Sequence, residues 1–492
     1  MDKAPHMEHD RGTWGSNFGF LMAAVGSAVG LGNIWGFPYK MGSKGGFAFL
    51  VIYLLLVVFV GVVVMLGELT IGRKTGLGAV GAYAKLSKKY KWVGYLGILS
   101  AFTLLAFYNV LGGLVMRYMF GFILEILGVD GFSGAEGGFF DYILFDYSGM
   151  IFFHVLFIVC NVVIVMGGIQ GGIEKFCTVA MPALFFMLLF VIIYVAFQPG
   201  AGQGYKDMLT PNFDPISTFG GFVDVLKTAA GQMFFSLSLG MGAIISYGSY
   251  LDKKENLQKN SLIIPACDTL IAVMAACAVL PACAAFGMEY NQGPGLLFNT
   301  MQNVFLSMGS FGSFVGFMFY FLVFIAAVTS SISLFEAIVT WRIDVNREKG
   351  KKTNRTTIMC VAAVCSLIVG LPVALDGLGS PDAAVKAPYL LLGMTPEQLD
   401  AGQVPMAIDA WLDFFDVISE GIFMPLGALV MSVLIGWKWK TKNLVVPECE
   451  QSGHKFWGYG FFDFCFKFIT PLGMLVVLGG QIYDFFIKAL LA

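Results

Sequence analysis

Two short stretches of this sequence place bare backbone where binding chemistry can occur. The first is Gly26-Ser-Ala-Val-Gly-Leu-Gly-Asn-Ile-Trp-Gly-Phe-Pro38, inside an apolar segment with Gly26, Gly30 and Gly32 crowding its middle. Glycine costs a helix interior about 1 kcal/mol against alanine, so a helix is expected to break there. In hydrocarbon each unpaired N–H or C=O costs several kcal/mol, and a break survives only where protein, water or a ligand satisfies those groups. Two half-helices meeting at such a point offer an amide-rich N-terminus to an anion and bare carbonyls to a cation. The second stretch, Gln232-Met-Phe-Phe-Ser-Leu-Ser-Leu-Gly-Met-Gly242, repeats the device: Ser238-Leu-Gly-Met-Gly parallels Val29-Gly-Leu-Gly. Such GxG steps also permit close helix packing. Paired breaks at the first helix of two five-helix halves point instead to a midplane binding site.

The elements that must hold these breaks are membrane spans. The 492 residues are 57% hydrophobic and 13% charged, with mean hydropathy +0.78, and apolar runs long enough to cross a bilayer recur from end to end. This is the composition of an all-α polytopic membrane protein. About eleven transmembrane helices follow from hydropathy, near 16–42, 47–72, 92–124, 150–169, 175–197, 222–250, 261–287, 312–341, 356–375, 411–437 and 461–490. Basic clusters at Arg73 to Lys91, Lys253 to Lys259, Arg342 to Arg355 and Lys438 to Lys455 all fall on one side. That asymmetry predicts a cytoplasmic N-terminus and, with an odd helix count, a C-terminus outside. The loops around 130–146 and 376–409 are acidic, and a short lid-like helix is expected near 299–308. The one glycosylation-type match, Asn354-Arg-Thr, sits in a basic loop, which favours a bacterial plasma membrane. The first apolar run has no small-residue cleavage site and reads as a retained helix.

Composition also removes function classes. A net charge of −2 without a basic, aromatic-interleaved patch argues against a nucleic-acid partner. The nine cysteines lack paired spacing and read as small hydrophobes. No phosphate-binding loop, nucleophile triad or metal-ligand cluster is present in the sequence, so neither an enzyme nor an ATP-driven pump is expected. Glu68 lies inside the second span, where a carboxylate is expensive; it is either functional or hydrogen-bonded to one of the unwound stretches. His154 is a lone intramembrane histidine and supports no relay by itself.

The Gly26–Pro38 stretch, Phe234-Phe-Ser-Leu-Ser-Leu-Gly, Thr329-Ser-Ser, and Gly171-Gly-Ile-Glu-Lys with Met181-Pro182 resemble the neurotransmitter:sodium symporter family. The resemblance spans helices 1 to 10. It implies a five-plus-five inverted repeat with broken helices 1 and 6, an architecture for which a family member is the standard example. The expected division is an N-terminal segment 1–15, repeats 16–200 and 201–440, and a loop with helix 11 over 441–492. Also implied are two sodium ions and an amino-acid or amine substrate between helices 1, 3, 6 and 8.

Carried over residue by residue, the resemblance gives the first sodium to the Ala28 carbonyl, Asn33, Ser236 and Asp268, and the second to the carbonyls of Gly26, Val29 and Ala326 with the hydroxyls of Thr329 and Ser330. Hard cations choose oxygen ligands, and these positions supply mostly neutral ones. Hydroxyls such as Thr329 and Ser330 can also bond back to their own helix. The substrate carboxylate would meet the amides of Leu31 and Gly32 and the Tyr108 hydroxyl; its ammonium would meet carbonyls of Ala28, Phe235 and Ser238. Leu104, Tyr108, Phe235, Ser238, Met241, Ser330 and Leu334 would form the side-chain pocket. Gly30 stands where amine-carrying relatives have an aspartate, so the substrate is expected to bring its own carboxylate. An apolar lining would leave a charged side chain unpaired at several kcal/mol, which favours a neutral hydrophobic or aromatic L-amino acid.

Arg11, Trp14, Tyr250 and Asp344 match the family's cytoplasmic gate. Asp416 matches the acidic half of the outer gate, but Gly36 replaces its arginine partner; the expectation is closure through Tyr108 over Phe235 with Asp416 bridged by water, or Asp416 as a solvated carboxylate at a helix start. Chloride-dependent relatives resemble this chain at Tyr53, Gln232 and Ser236, yet Ala272 replaces a serine and Asp268 an asparagine, so chloride is not expected to be required. The implied function is sodium-driven symport by alternating access. Each inward sodium gains about 2.3 kcal/mol per 100 mV and roughly 1.4 kcal/mol per tenfold gradient. Proton coupling through Glu68 or Asp268, a substrate sensor and a channel are the alternatives.

Overall fold

The computed structural model describes residues 12–132, 138–288, 290, 295–451, 453–483 and 485. These form helices and turns, with no strand among the described residues. The first span is interrupted where the glycines cluster: α1a (Asn17–Ala28) and α1b (Gly32–Ser43) meet at a 52° bend. Ser16 caps α1a by accepting from the Gly19 amide at 2.9 Å, and Val29 leaves helical geometry with φ −74° and ψ 104°. α2 (Phe47–Thr75), α3 (Lys88–Ile126), α4 (Tyr147–Met166) and α5 (Ile169–Ala196) complete the first half.

The second half also opens on a broken span. α6a (Phe219–Ser236) and α6b (Ala243–Gly248) flank an unwound segment, in which Ser238, Gly240 and Gly242 take φ of 53°, 81° and 76°. Glycine adopts this left-handed backbone freely; Ser238 does so against its preference. α7 (Leu257–Ala285), α8 (Phe311–Glu348), α9 (Arg355–Leu375), α10 (Trp411–Trp439) and α11 (Tyr459–Ile482) follow. Among the described residues nine helices are long and apolar enough to cross a membrane, ten with the bent α1a–α1b pair taken as one span; the broken α6a–α6b segment lies where the remaining expected span falls.

α3 and α8, each third in its half, pack along each other and form the spine of the bundle. α3 reaches α4 by close backbone approach, since a Cβ at Gly113 would lie 2.8 Å from the His154 amide nitrogen. Small residues serve this purpose in membrane helices, where lipid offers no hydrophobic drive for association. α8 continues beyond its apolar stretch through Asp344 to Glu348. The short helix expected between α7 and α8 is found as Leu296–Thr300 and Met301–Ser307.

Candidate substrate and sodium site

The two breaks face each other and satisfy one another's backbone. Ser238 Oγ donates to the Ser27 carbonyl at 2.7 Å, and Gln232 Nε2 donates to the Gly32 carbonyl at 2.8 Å. Glu68 Oε1 accepts from the Gly240 amide at 2.7 Å, so the α2 carboxyl ties down the unwound part of α6. Hydrocarbon would not tolerate these loose ends; the crossed bonds make the breaks affordable.

Around the break in α1, oxygens collect in two places. Asn33 Oδ1 accepts from the Gly30 amide at 2.9 Å and its Nδ2 donates to Asp268 Oδ1 at 2.7 Å. Ser236 Oγ lies 3.0 and 2.9 Å from the two Asp268 oxygens. Three side chains from α1b, α6a and α7 therefore converge, all buried. In the second place, Ser330 Oγ lies 3.4 Å from the Gly26 carbonyl and 3.2 Å from that of Val29. Thr329 Oγ1 bonds back to Ile325 and Ala326 of its own helix at 3.0 Å each, while its Cβ would stand 3.1 Å from a Cβ at Gly26. Back-bonding and proximity to the break coexist at Thr329.

Between the two oxygen clusters lies a small cavity of about 10 Å³, lined by Ser27, Ala28, Gly30, Gly32, Leu104, Tyr108, Phe235, Ser236, Ser238, Ser330 and Leu334. The Leu31 amide donates to Tyr108 Oη at 3.1 Å, which fixes the phenol at the N-terminus of α1b. The Tyr108 and Phe235 rings lie 6.3 Å apart. Phe235 is partly exposed, whereas every other lining residue is buried. A Cβ at Gly30 would fall 2.5 Å from Ser330 Oγ and 2.6 Å from Tyr108 Oη, so a side chain there would have to displace one of these hydroxyls.

One expected pocket residue is placed elsewhere. Met241 is buried, but its backbone packs against Gly97 of α3 and it does not line the cavity. The left-handed turn at Ser238 and Gly240 carries the chain away before Met241. Ser27 joins the lining instead, and its hydroxyl pairs with Ser333 at 2.7 Å.

On the side of the basic loops, Trp14 Nε1 donates to the Tyr247 carbonyl at 3.1 Å. Tyr250 Oη reaches Glu336 at 2.9 Å and Thr340 at 2.7 Å, and Asp344 Oδ2 accepts from the Gly78 amide at 2.8 Å. Arg11 lies outside the described residues. Arg355 pairs with the fully buried Glu336, a partnership absent from the sequence reading although a carboxylate inside a span was its signal. On the opposite side, Lys40 Nζ lies 3.2 Å from Glu420 Oε1, and Asp416 stands beside that pair.

Known proteins resemble this chain in sequence and in fold. The model of the sodium:neurotransmitter symporter family matches residues 11–128 and 145–379. An uncharacterized sodium-dependent transporter of Bacillus subtilis, YhdH, is 31% identical over 473 residues, covering 94% of this chain and 96% of the relative. Another of Haemophilus influenzae is 31% identical over 487 residues, covering 96% and 98%. The crystal structure of MhsT in complex with L-phenylalanine matches with a TM-score of 0.80 at 32% identity, covering 96% of this chain and 100% of that one. This chain, a multi-pass sodium-dependent symporter with two broken helices, belongs to the sodium:neurotransmitter symporter family.

Proposed function

We propose that the protein imports a neutral, hydrophobic or aromatic L-amino acid with two sodium ions across a bacterial plasma membrane, its N-terminus cytoplasmic and its C-terminus outside, and that it needs no chloride. The observation that carries this reading is the lining of the central cavity, where backbone and hydroxyl groups surround apolar side chains and a side chain at Gly30 would have to displace the Ser330 or Tyr108 hydroxyl. A carboxylate on the substrate would take the amides of Leu31 and Gly32 at the positive end of α1b, as anions do at helix N-termini. Its oxygens would then complete the first sodium shell with Asn33, Ser236, Asp268 and the Ala28 carbonyl. The second sodium would rest among Gly26, Val29, Ala326, Thr329 and Ser330, linking α1a to α8. Sodium at both places neutralises oxygens that repel one another, so the closed form is favoured with both ions and substrate aboard.

MhsT, the structural neighbour, is a complex with L-phenylalanine, and its likeness supports the same substrate class here. A cavity of about 10 Å³ admits such a guest only when Phe235 swings from Tyr108 and the bundle opens. The test is a binding screen of the twenty amino acids on the purified protein, with sodium or potassium. Sodium-dependent binding of phenylalanine, tryptophan or leucine, with none of lysine or glutamate, is expected; sodium-independent binding or a charged preferred ligand overturns the proposal.

A further inference from the structure

Away from the central site, α3, α8 and α9 enclose an apolar crevice of about 710 Å³. Its walls include Ile98, Leu99 and Phe102 of α3, Ile338 of α8, and Val361 and Ala362 of α9. Leu99 and Val361 are exposed, at 49% and 58%, so the crevice is open at the bundle's flank. It lies in the first turns of α3 and α9 and the last turns of α8, at the level of one bilayer leaflet. That level borders the basic loops.

One end of the crevice is polar. Trp341 and Arg342 line it there. The Trp341 indole N–H is buried without a hydrogen-bond acceptor, although its ring meets Tyr95 edge-on with centroids 6.1 Å apart. Arg342 is exposed and forms no ion pair among the described residues. Lys91 sits 5.7 Å from the centre of the Tyr95 ring, beside the same end. An apolar slot closed by an unpaired guanidinium, a nearby ammonium and an orphaned N–H is complementary to one kind of molecule. Its tail must be hydrocarbon, and its head must be anionic and rich in acceptors.

We propose that this crevice binds an anionic phospholipid of the leaflet on the basic-loop side, with an acyl chain between α3 and α9 and the head group on Arg342 and Trp341. Juxtamembrane lysines and arginines draw anionic lipid toward a surface; here the slot adds a fixed place for the chain. Because α8 also carries Thr329 and Ser330, a bound lipid would brace the helix that holds the second sodium.

Trp341 serves as the reporter. The full-length protein is reconstituted with phosphatidylglycerol or phosphatidylcholine whose acyl chains are brominated, and the quenching due to Trp341 is obtained by difference from Trp341→Phe. Half-maximal quenching is expected at a lower mole fraction of the anionic lipid, and Arg342→Gln should remove about fivefold of that preference, the weight of one basic residue near an anionic surface. Ala362→Phe, which fills the slot, should weaken quenching by both lipids. Retention of helicity and monodisperse elution show that each variant is folded. Equal quenching by the two lipids in the wild type, or an anionic preference untouched by Arg342→Gln, overturns the proposal.

Discussion

Lys40 and Glu420 form a largely buried ion pair 3.2 Å long, each four residues beyond the position, Gly36 or Asp416, at which the family's outer gate is expected. A Cβ at Gly36 would lie 2.9 Å from Gln232 Oε1, so a side chain there would require Gln232, which ties α6a to α1b, to shift. The cation is displaced one turn along α1b and the carboxylate one turn along α10, and their long side chains close the distance. If the pair latches the outer side, Lys40→Gln or Glu420→Gln should speed release of labelled substrate about fivefold, the upper range for a partly exposed pair. The exchange Lys40→Glu with Glu420→Lys should restore slow release. Wild-type release rates in both single variants would show that closure rests on Tyr108 and Phe235 alone.

Gly30 offers a second test. Its missing Cβ is already spoken for by Ser330 Oγ and Tyr108 Oη. Gly30→Asp must displace one of them and sets a carboxylate against that of an incoming amino acid. Sodium-dependent amino-acid binding should fall by at least about tenfold, equivalent to 1.4 kcal/mol. Binding at wild-type strength would mean that the substrate carboxylate sits elsewhere.

Much of this site was legible because the signal was backbone. Gly26, Gly30, Gly32, Gly240 and Gly242 mark breaks in otherwise apolar runs, and the structure unwinds α1 around Gly30, between Ala28 and Gly32, and α6 at Gly240 and Gly242. The outer ion pair was not legible for a physical reason. Residues Val417–Phe423 of α10 form a π-helical turn that contains Glu420, and an extra residue per turn rotates the helix face without any mark in hydropathy. Met241 does not line the cavity, and nothing in the sequence gives the direction of the chain after a left-handed Ser238. The pairing of Arg73 with Glu448, 2.9 Å apart and buried, joins residues far apart in sequence and could be found only in three dimensions.

Ser330 and Thr329 differ in what their loss should do. Ser330 Oγ already reaches the carbonyls of Gly26 and Val29, whereas Thr329 Oγ1 donates within α8. Ser330→Ala should therefore raise the sodium concentration for half-maximal binding about tenfold or more, on the ~1.5–3 kcal/mol scale of a hydrogen bond to a charged group. Thr329→Ala with Ser330→Ala should abolish sodium-driven uptake. A sodium titration on the double variant that overlays the wild type removes the second site from these residues.

The buried carboxylate of Asp268 is the group proposed to make chloride unnecessary. It is fully buried on α7, held by Asn33 and Ser236, with the Tyr53 hydroxyl close by. A fixed negative charge at this place offsets a sodium ion in a medium where charges interact several times more strongly than in water. On the proposed reading a mobile anion would then be redundant, and Ala272, buried one turn further along α7, offers it no hydroxyl. Uptake by the wild type should be equal in sodium gluconate and sodium chloride. Asp268→Asn with Ala272→Ser removes the fixed charge and supplies a donor, so this variant should be inactive in gluconate and recover part of its uptake in chloride. Wild-type uptake that requires chloride would overturn the role given to Asp268. Loss of uptake in the variant under both salts, with sodium binding intact, would instead confine the carboxylate to coordinating sodium.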